Sequence, residues 1–415
     1  MHRVKFRASI HRGKRDMTTD NNSSRFDRFG PPGPREEFFS PTEYERRLTS
    51  IREAMQAAGH DVLVTFGPAN ITYACGHFTT NLWDFQCLVI PVDQRPFMVL
   101  WYFELGRFYV SSVGTDVAPY GTGDDPLVTL VDALRKRNLL TRRIALDEGS
   151  ASISPAVFAK VRDAIGDVVP SEGVIEGVRL IKSAPEIDVL RQAARISAIG
   201  VRAAIAAGRT GVSDFSVSAA CNAAMFGAGS HTMAIDPFIC GGWRSGTPHS
   251  NATGHVFERG DSMLIEVGAN IGRYTTPVMR TAAIEEIRPE IRDLHSAATR
   301  ALDAVIDVMK PGAIAADIAA TGTKALGPLE PDVIYHYTFG YPVGVGFPPT
   351  WLESTEFLLI AQNKRPIEAG MVFHVPVSLR RHGKYGIGMS DTVLVTDSGA
   401  EILTHHLSRD ITICP

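Results

Sequence analysis

The sequence predicts an α+β chain, with an N-terminal α/β domain followed by a C-terminal helix-backed antiparallel sheet. Three observations carry that expectation. Two strong helix starts, Ser40-Pro41-Thr42-Glu43 and Ser183-Ala184-Pro185-Glu186, each read as a capping box with proline in the first turn, and each opens a new stretch of pattern. Between them, short apolar runs alternate with helical periodicity, as in a mixed α/β layer. Beyond the second, longer strand-like runs follow long helices, as when helices are stacked on an antiparallel sheet.

Residues 1–38 read as a disordered or loosely docked arm. MHRVKFRASIHRGKRD is basic, and the polar, Gly/Pro-rich stretch after it opens with Met17, a candidate true start. The first domain is placed at 39–178. Leu48, Ile51 and Met55 fall on one helical face and Gly59 stops that helix. DVLVTF, QCLVIPV, PFMVLWYF and RRIALDEG read as strands, and LVTLVDALRKRNLL as a helix. The second domain is placed at 179–415. An Ala-rich helix runs from Ser183 toward Gly208, and SAACNAAMFGAG, EIRDLHSAATRALDAVIDVMK and AADIAATGTKAL read as further helices. SMLIEVGA, TAAIEEI, MVFHVPVSL and DTVLVT read as strands, and no internal repeat stands out.

Composition narrows the function. The 415 residues are 44% hydrophobic and 21% charged, and a net charge of -3 from 42 basic and 45 acidic residues gives no field for gripping nucleic acid. Five cysteines, an odd number with no C-x-x-C pair, point to buried thiols rather than disulfides or a zinc site. No run approaches the roughly 18 to 20 apolar residues that span a bilayer, and the basic start lacks the apolar core of a secretory signal. A cytoplasmic protein without membrane or nucleic-acid partners is the expectation.

Four segments of the second domain place polar groups where burial is costly. His249 stands in a Gly/Ser/Thr-rich loop within GGWRSGTPHSNATG, a setting shared by binding loops and plain surface loops. Glu266 interrupts the apolar run SMLIEVGA, so its carboxylate is either paired, with Arg273 or Arg280 as candidates, or functionally tuned. YHYTFGYPVGVGFPPTW is dense in glycine, proline and aromatics and reads as a rigid loop whose backbone approaches a ligand. His374 lies inside the apolar strand MVFHVPVSL, where a histidine is most often a satisfied core residue.

In this order the segments resemble the pita-bread superfamily of methionine and Xaa-Pro aminopeptidases, creatinase and ectoine hydrolase, over roughly residues 41–410. EVGANIGRYTTPVMRT, GYPVGVGFPPTW and GMVFH are most similar to the ectoine hydrolase branch. The peptidases of that superfamily hold metals with Asp, Asp, His, Glu and Glu. The resemblance places Glu266, Pro277, Tyr341, Pro376 and Ser390 at those positions, so four of the five have lost a carboxylate or imidazole donor. It implies a hydrolase without metal or other cofactor, acting on a non-peptide C–N bond of a small molecule such as a cyclic amidine. Glu266 would be nucleophile or base and His249, in TPHSN, the proton shuttle, while Tyr341, His374, Trp351 and Trp83 would bind substrate. It also implies a homodimer, with Trp83 covering a neighbouring subunit's site. Creatinase's two substrate glutamates fall on Met279 and Pro376, which argues against creatine, and the basic run Arg380, Arg381, His382 and Lys384 argues for a substrate other than ectoine. Two alternatives stand beside this reading: a metal-dependent Xaa-Pro type aminopeptidase with a different ligand set (His231, His249, His255, Glu258), and a catalytically inactive binding homologue.

Overall fold

The computed structural model describes Phe26 and residues 33–150, 152–355 and 357–415. Most of the expected arm, Met17 included, lies outside them. Its last residues are anchored: the Glu36 amide donates to the Val110 carbonyl (2.8 Å), Arg107 pairs with Glu36 (2.7 Å), and the Phe38 ring packs on Phe78 and His231.

The helix Pro41–Ala57 starts as expected, with Ser40 capping the Glu43 amide and Gly59 in the left-handed conformation after its end. Glu43 does not close a capping box. Its carboxylate instead takes Arg46, the buried Arg47 and the Ser183 hydroxyl (2.8 Å), so the two helix starts seen in the sequence are bonded to each other. The Glu186 carboxylate accepts the Ser183 amide and the Tyr274 hydroxyl, which adds the second sheet to the same knot.

The first sheet has six strands among the described residues: β1 Val62–Thr65, β2 Cys87–Pro91, β3 Phe97–Trp101, β4 Asp116–Tyr120, β5 Ile144–Leu146 and β6 Val168–Pro170. Their order is β4-β3-β2-β1-β5-β6, with β2 antiparallel to both β1 and β3 and the other pairs parallel. The apolar runs are buried on both faces, which is why they show no alternation.

The second sheet has ten strands among the described residues: β7 Phe238–Gly241, β8 Ser262–Ile271, β9 Tyr274–Ile284, β10 Val333–Ile334, β11 Tyr341–Phe347, β12 Thr350–Leu352, β13 Val372–Arg381, β14 Tyr385–Thr396, β15 Gly399–Ile402 and β16 Thr412–Cys414. The main path is β15-β14-β13-β11-β9-β8-β7. Two helix-backed hairpins dominate it. Helices Ala184–Ala207 and Asp214–Gly227 pack together with the first on β8 and β9, and Pro289–Val308 and Ala315–Leu326 pack together with the first on β13 and β14. This doubled helix-helix-hairpin plan does not show as a repeat in the sequence.

Two expectations change here. The segment read as a rigid loop is largely strand: β11 pairs its Tyr341 and Pro342 with His374 and Phe373, and the Pro342 ring merely removes one donor from the ladder. β9 and β14 each begin well before the apolar runs TAAIEEI and DTVLVT, because Pro277, the threonines and the glycines that precede those runs hide the strand period.

The hairpins β8–β9 and β13–β14 face each other through side-chain hydroxyls rather than a backbone ladder. The Ser390 hydroxyl accepts the Met279 amide (2.6 Å), Thr281 both donates to and accepts from the Gly388 backbone (2.9 Å each way), and the Thr392 hydroxyl donates to the Pro277 carbonyl (2.6 Å). Beside this seam Arg280 binds Asp391 (2.9 Å), and Asp391 also takes Arg409 and the Thr404 hydroxyl. Asp391 and Arg280 are buried, so removing the carboxylate strands a guanidinium in the interior. We expect Asp391→Ala to lower the unfolding free energy by about 3–5 kcal/mol. Urea denaturation checks this, and a loss below about 1 kcal/mol, the range of an exposed pair, would contradict it.

Candidate active site

Between the hairpins lies a cavity of about 330 Å³ lined by Pro248, His249, Glu266, Met279, Ile334, Tyr335, His336, Tyr341, Pro376, Ser378 and Arg380. Its size suits a small molecule. The strands explain who faces it. Glu266 on β8 stands opposite Met279 on β9, and Tyr341 on β11 stands opposite His374 on β13, from which Pro376, Ser378 and Arg380 follow at the period of two that keeps side chains on one face.

Glu266 is the central group. It is buried, yet among the described residues its carboxylate makes no hydrogen bond and no ion pair. The sequence offered Arg273 or Arg280 as partner, and neither serves: Arg273 binds the Gly346 and Thr232 carbonyls, and Arg280 binds Asp391. Burial pushes the Glu266 carboxyl up to about 7, against a smaller opposing pull from the Arg380 charge.

Arg380 is a cavity residue that the sequence does not single out. Of the basic run, only this member lines the cavity, while Arg381 and Lys384 pair with Asp332 at the surface. The Arg380 guanidinium is buried and held by one nitrogen, Nη1, which donates to the carbonyls of Ser245 (2.7 Å) and Thr247 (3.0 Å). Among the described residues its Nε and Nη2 make no hydrogen bond. His336 also lines the cavity, its ring against Tyr335, and loss of solvation together with the charges of Arg380 and His249 pulls its pKa down.

His249 reaches the cavity from the loop between the turn Gly242–Gly246 and β8. Its backbone is left-handed (φ 52°), uncommon for a residue with a side chain, and its ring packs 5.8 Å from Phe238, the β7 neighbour of Glu266.

His374 and Trp351, expected to touch substrate, do not line the cavity. His374 is fully buried behind Tyr341: its Nδ1 lies 2.7 Å from the Tyr341 hydroxyl and its Nε2 lies 2.6 Å from the Ser390 hydroxyl. Trp351 is buried as well and donates its indole N–H to the Tyr341 hydroxyl (2.9 Å). Burial pushes the His374 imidazole down to about 3, which keeps it neutral, and burial with the nearby Glu266 pushes the Tyr341 phenol far up, which keeps it protonated. Trp83 is 81% exposed and lines a separate cavity beside the first sheet, with Phe66, Leu82 and Phe85, so within one chain it is not part of this site.

The donor set does not fit a pair of divalent ions. Of the five positions implied by the resemblance, Pro277 and Pro376 carry no donor, Tyr341 and Ser390 are engaged with His374, and only Glu266 offers a carboxylate. The alternative set is dispersed: His255 binds Asp261, His231 accepts the Gly272 amide at the tip of the β8–β9 hairpin, and Glu258 is exposed. Among the described residues no three His, Cys, Asp or Glu side chains come together as a metal site. The five cysteines are buried and free, and no described helix is long and apolar enough to cross a membrane.

Residues 188–397 match the model of metallopeptidase family M24, and residues 47–181 match the creatinase/prolidase N-terminal domain. The chain belongs to this creatinase and M24 superfamily of hydrolases, and its fold is the pita-bread arrangement behind a creatinase-type N-terminal domain. Among its relatives, the ectoine hydrolase of Halomonas elongata is 25% identical over 402 residues, covering 88% of this chain and 96% of that one. The Xaa-Pro dipeptidase of Pyrococcus furiosus is 27% identical over 258 residues, covering 62% and 72%. The crystal structure of dipeptidase PepE from Mycobacterium ulcerans superposes with a TM-score of 0.78 at 24% identity, covering 91% of this chain and 99% of that one. Dipeptidases and ectoine hydrolase are matched at similar identity, but dipeptidases and prolidases recur among both the relatives and the solved structures, and together these likenesses support a hydrolase of this superfamily without fixing its reaction.

The Glu266 carboxyl has a consequence for stability. Its folded pKa, about 7, lies above the ordinary 4.5. The stabilising effect of holding that proton is therefore complete below about 4.5 and is lost as pH rises through about 7. Glu266→Gln, which cannot ionise, should raise the melting temperature at pH above 7, by the equivalent of up to about 3 kcal/mol, and the gain should vanish toward pH 4.5. Calorimetry across pH checks this, and a gain independent of pH would contradict the raised pKa.

Proposed function

We propose that this protein is a metal-independent hydrolase that cleaves a non-peptide C–N bond, of the cyclic amidine or a related type, in a small anion-bearing molecule. The observation that supports it is the buried Glu266 carboxylate, without a partner among the described residues, on a cavity wall that offers no second metal-binding carboxylate among them. A carboxyl with a pKa near 7 is both a usable base and a usable acid at neutral pH.

In this reading the free edge of Arg380 holds a carboxylate or similar anion of the substrate, which sets the reacting carbon against Glu266. Glu266 takes a proton from water as the water oxygen bonds to that carbon. The C–N bond then breaks and the leaving nitrogen receives a proton from His249, which is recharged by the proton that Glu266 accepted. The net change is the addition of one water. Tyr341 contacts the reacting group. Trp83, exposed on the first domain, is suited to closing the site of a second copy in a homodimer.

Glu266→Gln should reduce kcat by about 10³-fold or more, and His249→Ala by about 10²–10⁴-fold. Since the base must be ionised, kcat/KM should fall as pH drops below about 7. Arg380→Met should raise KM for an anionic substrate far more than for its neutral amide. The assay is a panel of cyclic amidines, guanidines and N-acyl diamino acids, run with chelator and with added zinc, manganese or cobalt. Turnover that requires metal, or that survives both substitutions, would sink the proposal. Ligand binding without any turnover would favour an inactive binding homologue.

A further inference from the structure

We infer that His374 carries its single proton on Nδ1, and that this, with Trp351 and Ser390, obliges the Tyr341 hydroxyl to aim its own proton into the cavity as a fixed hydrogen-bond donor to the reacting group. Tyr341 is then a catalytic residue, and His374, Ser390 and Trp351 are positioning residues that act through it.

The Trp351 indole N–H can only donate, so the Tyr341 oxygen accepts it (2.9 Å). The Met279 amide can only donate, so the Ser390 oxygen accepts it (2.6 Å). A neutral His374 between those two hydroxyls has one proton to place.

If the proton is on Nε2, it is donated to Ser390, and Tyr341 donates to Nδ1. The Ser390 proton then has no acceptor among the described residues, in a side chain with no exposure, and the full cost of an unpaired buried donor is incurred. If the proton is on Nδ1, it is donated to Tyr341, and Ser390 donates to Nε2. Ser390 and His374 then have a partner for every proton and lone pair in question. The one proton left over belongs to Tyr341, whose oxygen already accepts two bonds, and Tyr341 lines the cavity that holds Glu266.

The arrangement also fits where it stands. Tyr341 and Ser390 occupy two of the positions at which the resemblance places metal ligands, and a phenol held by two donors is a neutral means of stabilising negative charge as it develops on a substrate atom. The catalytic consequence rests on the hydrolase reading above. The tautomer does not.

The test has two arms. Protein labelled with 15N-histidine is examined by two-bond 1H–15N correlation, with the His374 signal identified by its loss in His374→Gln or, if that variant does not fold, by its displacement in Ser390→Thr. The expected result is an Nδ1–H, Nε2-unprotonated ring that stays so across the range in which ordinary histidines titrate. An Nε2–H or doubly protonated ring would overturn the inference, whatever the protein's activity. In the kinetic arm, Tyr341→Phe should lower kcat by about 10²–10³-fold. Ser390→Ala should lower it by about tenfold or more with KM nearly constant, and Ser390→Thr should restore it. A Tyr341→Phe enzyme with undiminished kcat would overturn the role given to the tyrosine.

Discussion

The constraint on which the site depends is the seam between two hairpins that meet through hydroxyls instead of a backbone ladder. Ser390, Thr281 and Thr392 hold β9 against β14 in a fixed antiparallel register while leaving the strands too far apart for direct pairing. Those hydroxyls stand in for a continuous ladder, and the cavity lies between the same two hairpins, with Glu266 and Met279 on one side and Pro376, Ser378 and Arg380 on the other. Ser390 has two tasks at once, since the same oxygen that fixes the Met279 amide also fixes the ring of His374. The register of the hairpins and the geometry of the cavity wall therefore share one side chain.

On that seam the charges are arranged to leave two ends unused. Other buried charges are paired, Arg280 with Asp391, and Glu353 with Lys182 and Arg179. Glu266 has no partner among the described residues, and Arg380 is bonded by only one of its nitrogens. Uncompensated groups of this kind are costly in a folded protein, and the cost is sensible where a ligand supplies the missing partners. The neutral network of Tyr341, His374, Trp351 and Ser390 lies beside them, so the wall carries one acid-base group, one cation and one neutral donor rather than a cluster of carboxylates.

Much of the fold was legible because it is written in local signals. Both helix starts, the buried strands of the first sheet and the long helices follow from caps and apolar period. β11 was not legible as a strand, because Pro342, Gly344 and Gly346 are turn residues by composition and only pairing with β13 and β9 makes this segment a strand. At the site, Glu266 was readable as a charge in an apolar strand and His249 as a histidine in a Gly/Ser/Thr-rich loop. Arg380 was not readable as a site residue, because which member of a basic run turns inward is set by the strand phase and by carbonyls more than a hundred residues away in sequence. His374, expected in the sequence both as a core histidine and as a substrate contact, is buried off the cavity, and its partners are not legible because both hydroxyls come from other strands.

Glu266 is a buried carboxyl, without a partner among the described residues, poised between its two protonation states at neutral pH. Infrared difference spectra between the wild-type protein and Glu266→Gln, recorded over a pH series, test it most directly. The account predicts a protonated carboxyl C=O band belonging to Glu266 at mildly acid pH that gives way to carboxylate bands with a midpoint near 7. A midpoint near the ordinary value of 4.5 would contradict it.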